Sequence, residues 1–260
     1  MGNKHGDWIW YELMTPDADA AAAFYGPILG WTAHKPDMGG MDYRIAQAAD
    51  GDMIAGILPL TDEMKAGGAQ PCWLGYIAVT DVDASAAAIA KAGGTVCIPP
   101  TDIPQVGRFA MLFDPQGAPF YIMTPASKDQ TSRAFADDVP SAGHCAWNEL
   151  STSDQKAAET FYMGQFGWVQ DGSMDMGPMG TYDFMRHGAL IGAITPKPPE
   201  MPVSAWTFYF RVPDIMAAKA QVTASGGTVL LEPVQVPGDD WIIIGRDPQG
   251  AHFALVGKSG

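Results

Sequence analysis

The 260-residue sequence predicts an α+β fold built from four strand–helix–three-strand (βαβββ) modules. Three observations carry that prediction. The stretch 142–168 (AGHCAWNELSTSDQKAAETFYMGQFGW) repeats residues near the N-terminus at a constant offset of 137, pairing Trp10 with Trp147, Glu12 with Glu149, Phe24-Tyr25 with Phe161-Tyr162 and Gly30-Trp31 with Gly167-Trp168. A gap-free register across such residues marks an internal duplication. A second block repeats at an offset of 133, pairing Trp73 with Trp206, Gly93-Gly94 with Gly226-Gly227 and the turn Asp114-Pro115-Gln116-Gly117 with Asp247-Pro248-Gln249-Gly250. Finally, each block reads as a strand, an Ala-rich helix and further strands.

In order, residues 8–15 alternate and are rich in Trp, Ile and Tyr, which predicts a strand. A helix follows, with Thr15 or Asp17 as N-cap and Gly30 as its stop. Strands are expected at 43–48 and 53–60 around the turn signal Asp50-Gly51, and the polar 61–70 is expected to be a connection. The second module begins with a strand at 73–79. Asp81 caps a helix that ends at Gly93-Gly94, and strands follow at 95–98, 109–113 and 120–123. The four residues lost between the halves fall in the inter-module connection, where 195–204 replaces a longer stretch. We therefore expect one domain over 1–126 (modules 6–60 and 71–125), a polar linker over 127–141, and a second domain over 142–260 (modules 142–196 and 204–258). One module alone would leave a sheet face uncovered, so modules should pair over a common cavity with helices outside, sequential modules being the expected partners.

Composition narrows the function classes. Hydrophobic residues make up 47% and charged ones 17%, as in globular proteins, and no apolar run reaches membrane-spanning length. The opening MGNKHGDW has no signal-peptide core, so a cytoplasmic protein is expected. A net charge of −14 without any Lys/Arg run speaks against nucleic-acid binding. Three cysteines without CxxC spacing (Cys72, Cys97 and Cys145) suggest core thiols rather than a metal knuckle or disulfide framework. A monomer or homodimer is expected.

The ordered set GxxxWxEL, FY, GW, V-D, GG-x-V, GRFA and DPQGAxF resembles the vicinal oxygen chelate superfamily of glyoxalase I, bleomycin-resistance proteins and extradiol dioxygenases, and more narrowly its two-domain glyoxalase-like branch. The resemblance covers about residues 6–125 and 142–258. It implies curved mixed sheets around a cavity and a divalent metal held by His or Glu on first and last strands. The residues at those positions are Trp10, Leu74, Trp147 and Thr207, with Tyr121 and Ala254 where the final-strand Glu would stand. None is a usual divalent-metal ligand, so no metal cofactor is expected.

Strand parity supplies the remaining cavity candidates. Glu12 shares a face with Trp10, Glu149 with Trp147, and Tyr209 and Arg211 with Thr207, while Tyr76 sits with Leu74. Arg108 is a candidate anion-orienting residue whose counterpart is Trp241, so the two cavities should differ. His144 has the opposite parity to Trp147, which places it at the strand end or helix side. His187 and His252 read as strand-end or solvated residues. Met-rich stretches at 37–41 and 173–179 suit adaptable pocket mouths.

The expected function is metal-independent binding of a small, largely apolar or aromatic molecule, with Trp10, Tyr76, Arg108, Tyr121, Trp147, Thr207, Tyr209 and Arg211 as ligand-binding candidates. The alternative is a glyoxalase-like lyase or isomerase, or a dioxygenase-related enzyme, using Glu12 or Glu149 as general base with or without a metal. Glu12 and Glu149 can equally be read as ordering residues of the fold, and self-filled cavities with a functional surface form a third reading.

Overall fold

A computed structural model describes residues 2–37, 40–127, 131–136 and 141–260. The linker read at 127–141 and the Met-rich stretch at 37–41 therefore fall partly outside the described residues. Among the described residues no helix is long and apolar enough to cross a membrane.

The first half contributes β1 (Trp8–Thr15), β2 (Thr32–His34), β3 (Arg44–Gln47), β4 (Met53–Pro59), β5 (Cys72–Ala78), β6 (Thr95–Ile103), β7 (Gly107–Phe113) and β8 (Pro119–Pro125). The second contributes β9 (Cys145–Thr152), β10 (Val169–Asp175), β11 (Thr181–His187), β12 (Ala189–Pro196), β13 (Ala205–Asp214), β14 (Thr228–Gln235), β15 (Trp241–Arg246) and β16 (His252–Lys258). Two eight-stranded sheets result, ordered β2-β3-β4-β1-β5-β8-β7-β6 and β10-β11-β12-β9-β13-β16-β15-β14. In each module the first and last strands run parallel and the rest antiparallel, which makes both sheets mixed. The repeated order is the α+β arrangement that the duplicated sequence predicts.

The helices begin where the caps direct. Asp17 accepts from Ala20 N at the start of α1 (Ala18–Leu29), and Gly30 ends it at φ 69. Asp81, Asp154 and Asp214 cap α3 (Val82–Lys91), α4 (Gln155–Phe166) and α5 (Ile215–Ala224) in the same way. Two features depart from the sequence reading. The polar stretch after β4 contains a short helix, α2 (Asp62–Ala66), capped by Thr61. Short β2 and longer β10 also form, although they are almost wholly exposed and so show no apolar alternation. Cys145 is buried as expected, but Cys97 is exposed because it lies on the solvated face of β6.

By contact density the chain divides into two compact units, and each draws on both halves of the sequence. One comprises Trp10–Leu74, Arg133–Ala146 and Thr207–Gly260. In it, α1 packs on α5, and Gly227 has no Cβ where one would stand 2.8 Å from the Phe24 ring. The Tyr25 hydroxyl donates to Asp247 Oδ2 at 3.0 Å and accepts from Trp73 Nε1 at 3.1 Å, all in the buried core. Tyr11, Phe208, Phe210 and Trp31 extend that core edge to face.

The other unit comprises Met1–Ile9, Gly75–Ser132 and Trp147–Trp206. Here the Tyr162 hydroxyl donates to Asp114 Oδ2 at 3.1 Å and accepts from Trp206 Nε1 at 3.1 Å. Trp168 stacks on Tyr162 at 5.3 Å and 9°. The repeat markers thus converge into two equivalent locks, each taking its Tyr and Trp from one half of the sequence and its Asp from the other.

A further polar cluster fastens α4 to β11. Lys156 Nζ lies 2.9 Å from Glu159 Oε2 and 3.0 Å from Asp183 Oδ2, and Ser173 donates to Asp183 Oδ1. Burial pushes the Asp183 carboxyl up, but hydrogen bonds from Glu159, Ser173 and Lys156 outweigh it and hold it down to about 2. Glu159 moves the other way, raised by burial and then by Asp183. A depressed carboxylate contributes stability above its unfolded pKa and loses it as pH falls through the folded one. Asp183→Asn should therefore cost about 2 kcal/mol near pH 6, from 1.4 kcal/mol per pKa unit, with the difference shrinking towards pH 2. Urea unfolding of both proteins across that range checks this, and a pH-independent difference would refute it.

Candidate functional site

Trp10 and Glu12 lie two residues apart on β1, so both project to one face, and a single phenol reaches both. Tyr43, immediately before β3, donates its hydroxyl to Glu12 Oε2 at 3.1 Å and accepts from Trp10 Nε1 at 3.1 Å. The strand register explains how the ring fits. Glu12 stands opposite Gly56 on β4, and a Cβ there would sit 1.6 Å from the Tyr43 hydroxyl. Glu12 is 5% exposed. Its charge is felt by Cys72, whose thiol is pushed up to about 11 by burial first and by Glu12 second. Gly56→Ala should displace the phenol and cost about 1–3 kcal/mol as an overpacking strain. A melting temperature and Tyr43 ring shifts equal to those of the parent would show that the close approach is unimportant.

The second half repeats the relay. Trp147 Nε1 donates to the Tyr182 hydroxyl at 2.7 Å, which donates to Glu149 Oε2 at 2.7 Å. Burial, then the charge of Glu149, raise the Tyr182 phenol far above its ordinary value, so it stays protonated as a donor. The copies differ in detail. Glu149 faces Ala193 on β12 rather than glycine and is half-buried, and Phe184 packs against both Trp147 and Tyr182.

The remaining sequence candidates fall into separate groups. Tyr76 and Tyr121 are register partners on β5 and β8, stacked at 4.2 Å and 9°, with Phe109 beside Tyr121. Tyr209 is buried opposite Ala254, and Thr207 is half-buried on the same strand. Arg211 Nη2 reaches Asp240 at 3.0 Å beside a cleft of about 280 Å3 that Lys258, Ala142, Val212 and Pro213 also line. Arg108 forks onto Asp83 of α3 at 2.7 and 2.9 Å and reaches Asp102 at 3.0 Å. Of the histidines, His252 is exposed, whereas His144 is fully buried and bonded to Asp50 and the Arg133 carbonyl.

Sequence reasoning missed Tyr43 and Tyr182. They stand 139 residues apart, not 137, because the loops before them differ by two residues. Gly56 was a second unread signal, a glycine opposite a buried acid in a strand.

The side chains at the positions where the resemblance places metal donors do not fit a divalent ion. Trp10 and Trp147 present N–H donors already directed at phenols, Leu74 and Ala254 have no polar side-chain atom, and Thr207 and Tyr121 offer neutral hydroxyls.

Comparison with known proteins agrees with the fold and the duplication. A family model described as Glyoxalase/Bleomycin resistance protein/Dioxygenase superfamily matches residues 9–122 and again 141–255. A Mycobacterium tuberculosis protein named "Putative glyoxylase CFP32" is 33% identical over 257 residues, covering 97% of this chain and 95% of its own length. The Anthracycline biosynthesis protein DauV of a Streptomyces species is 29% identical over 268 residues, covering 95% and 91%. Among solved structures, a Mn(II)-bound glyoxalase from Novosphingobium aromaticivorans shares the fold at TM-score 0.65 and 17% identity, covering 99% of this chain and 83% of that one. The 2,3-dioxygenase LapB from Pseudomonas sp. KL28 does so at TM-score 0.67 and 13% identity, covering 99% and 94%. With the family model matching both halves, the chain belongs to the glyoxalase/bleomycin resistance protein/dioxygenase superfamily.

Proposed function

We propose that this protein binds a small, flat, largely apolar molecule carrying a hydroxyl or similar donor, without a divalent metal at the superfamily's usual position. The observation that carries the reading is the duplicated relay. An indole N–H occupies the first-strand donor position, a phenol follows it, and a carboxylate, buried in Glu12 and half-buried in Glu149, ends the chain. Aromatic surface suits a flat ligand, and an acidic oxygen at the end of a neutral relay suits a donor on that ligand. The DauV relative, named for anthracycline biosynthesis, adds support for a polycyclic aromatic compound as the ligand class.

The test titrates EDTA-treated protein with 2-naphthol and 1,8-dihydroxyanthraquinone, beside naphthalene as the donor-free control, reading tryptophan fluorescence and melting temperature. Binding of the hydroxylated compounds about tenfold tighter than naphthalene, with a melting shift that follows mass action, is the expected result. Binding or turnover seen only after addition of Mn2+, Ni2+ or Fe2+ would overturn the metal-independent reading. Turnover in EDTA that disappears in Glu12→Gln and Glu149→Gln would turn the carboxylates into general bases.

A further inference from the structure

The turn between β3 and β4 carries a cluster that the relays do not use. Asp50 and Asp52 flank Gly51, whose φ of 94 closes the turn, and Asp50 Oδ1 accepts from Asp52 N at 3.1 Å, which aligns the two side chains. His144, just before β9, faces them and is 0% exposed. One ligand atom from each of the three residues lies within 4.8 Å of the other two.

The imidazole sits between two groups that only accept. Nδ1 is 2.5 Å from the Arg133 carbonyl oxygen, and Nε2 is 2.9 Å from Asp50 Oδ2. A neutral imidazole has one N–H and one lone pair. The carbonyl takes the N–H at Nδ1, which leaves the Nε2 lone pair buried and aimed at a carboxylate with no proton between them. A metal ion would bridge that lone pair and the carboxylates. Three features favour the metal. A backbone carbonyl on Nδ1–H is the usual way a protein fixes the tautomer of a metal-bound histidine. The two carboxylates match the charge of a doubly charged ion. Imidazole with carboxylate oxygens is also a donor set suited to first-row divalent ions. The Arg133 side chain, half-exposed, competes for Asp52, its Nε 3.4 Å from Oδ2.

We propose that Asp50, Asp52 and His144 form a binding site for a first-row divalent cation, with Zn2+ the best match. The site shares no residue with the relays, and the ligand reading stands or falls separately.

EDTA-stripped protein is dialysed against micromolar Zn2+ and analysed for metal, alongside Asp50→Asn/Asp52→Asn and Glu12→Gln/Glu149→Gln variants. The parent and the Glu variant should hold about one ion per chain and gain melting temperature with Zn2+. The Asp variant should bind about a hundredfold more weakly, and its melting temperature, compared with its own melt in EDTA, should no longer rise with Zn2+. No retained Zn2+, or Zn2+ retention unchanged in the Asp variant, would overturn the proposal and leave a structural His144–Asp50 hydrogen bond.

Discussion

Replacing Asp247 with Ala should destabilise the protein by about 3–5 kcal/mol, and Asp114→Ala should do the same in the other unit. Each carboxylate is almost fully buried and accepts three bonds. Asp247 takes the Tyr25 hydroxyl at 3.0 Å and the amides of Gln249 and Ala251 at 2.9 Å. Asp114 takes the Tyr162 hydroxyl at 3.1 Å and the amides of Gln116 and Ala118 at 2.9 and 2.8 Å. Truncation takes the acceptor from a buried phenol and from two turn amides, one of them buried, and each buried donor costs about 1–3 kcal/mol. Tyr25→Phe and Tyr162→Phe should be milder, near 1–2 kcal/mol, because the amides still hold the carboxylate. Chemical denaturation measures all four, and a loss below 1 kcal/mol for the Ala variants would show that the locks are incidental.

The lock in the second unit has a pH signature as well. Burial raises Asp114 against the hydrogen bonds from Ala118, Tyr162 and Gln116. A raised carboxyl favours the fold below its unfolded pKa and loses that contribution as pH rises through the folded one. Asp114→Asn should therefore cost less at pH 7 than at pH 4.

Exchanging Glu12 and Glu149 together for Gln should weaken binding of 2-naphthol or 1,8-dihydroxyanthraquinone by about ten- to a hundredfold with little change in melting temperature. The glutamine oxygen still accepts from Tyr43 or Tyr182, so the relay and its packing survive. What disappears is the charge, and a hydrogen bond to a charged acceptor is worth about 1.5–3 kcal/mol, or one to two orders of magnitude in affinity. Glu12→Gln should have the larger effect, since Glu12 is the more deeply buried carboxylate. Equal affinity in parent and double variant would remove the carboxylates from the ligand site.

Much of the architecture was legible because its causes are local. Asp17, Asp81, Asp154 and Asp214 cap helices through their own backbone neighbours, and Gly30 and Gly167 end helices in the left-handed conformation that glycine accepts without strain. The shared face of Trp10 and Glu12 follows from the two-residue period of a strand. The relays themselves were half-legible. Their indoles and carboxylates kept register, while their phenols follow loops of unequal length. Nothing in chain order announced that Asp50 would meet His144, 94 residues away.

By itself the sequence determined the four modules, their caps and turns, and the matched Trp and Glu positions, since these depend on propensity and periodicity within a few residues. The tertiary structure alone decided which partners those residues take. The two DPQG turns are identical in sequence, so only packing assigns Asp247 to Tyr25 and Asp114 to Tyr162. Likewise only the β1–β4 register sets Gly56 opposite Glu12 and opens the space for the Tyr43 ring. A buried polar group must be satisfied by whichever partner the fold delivers, and that partner is chosen by distance in space rather than along the chain.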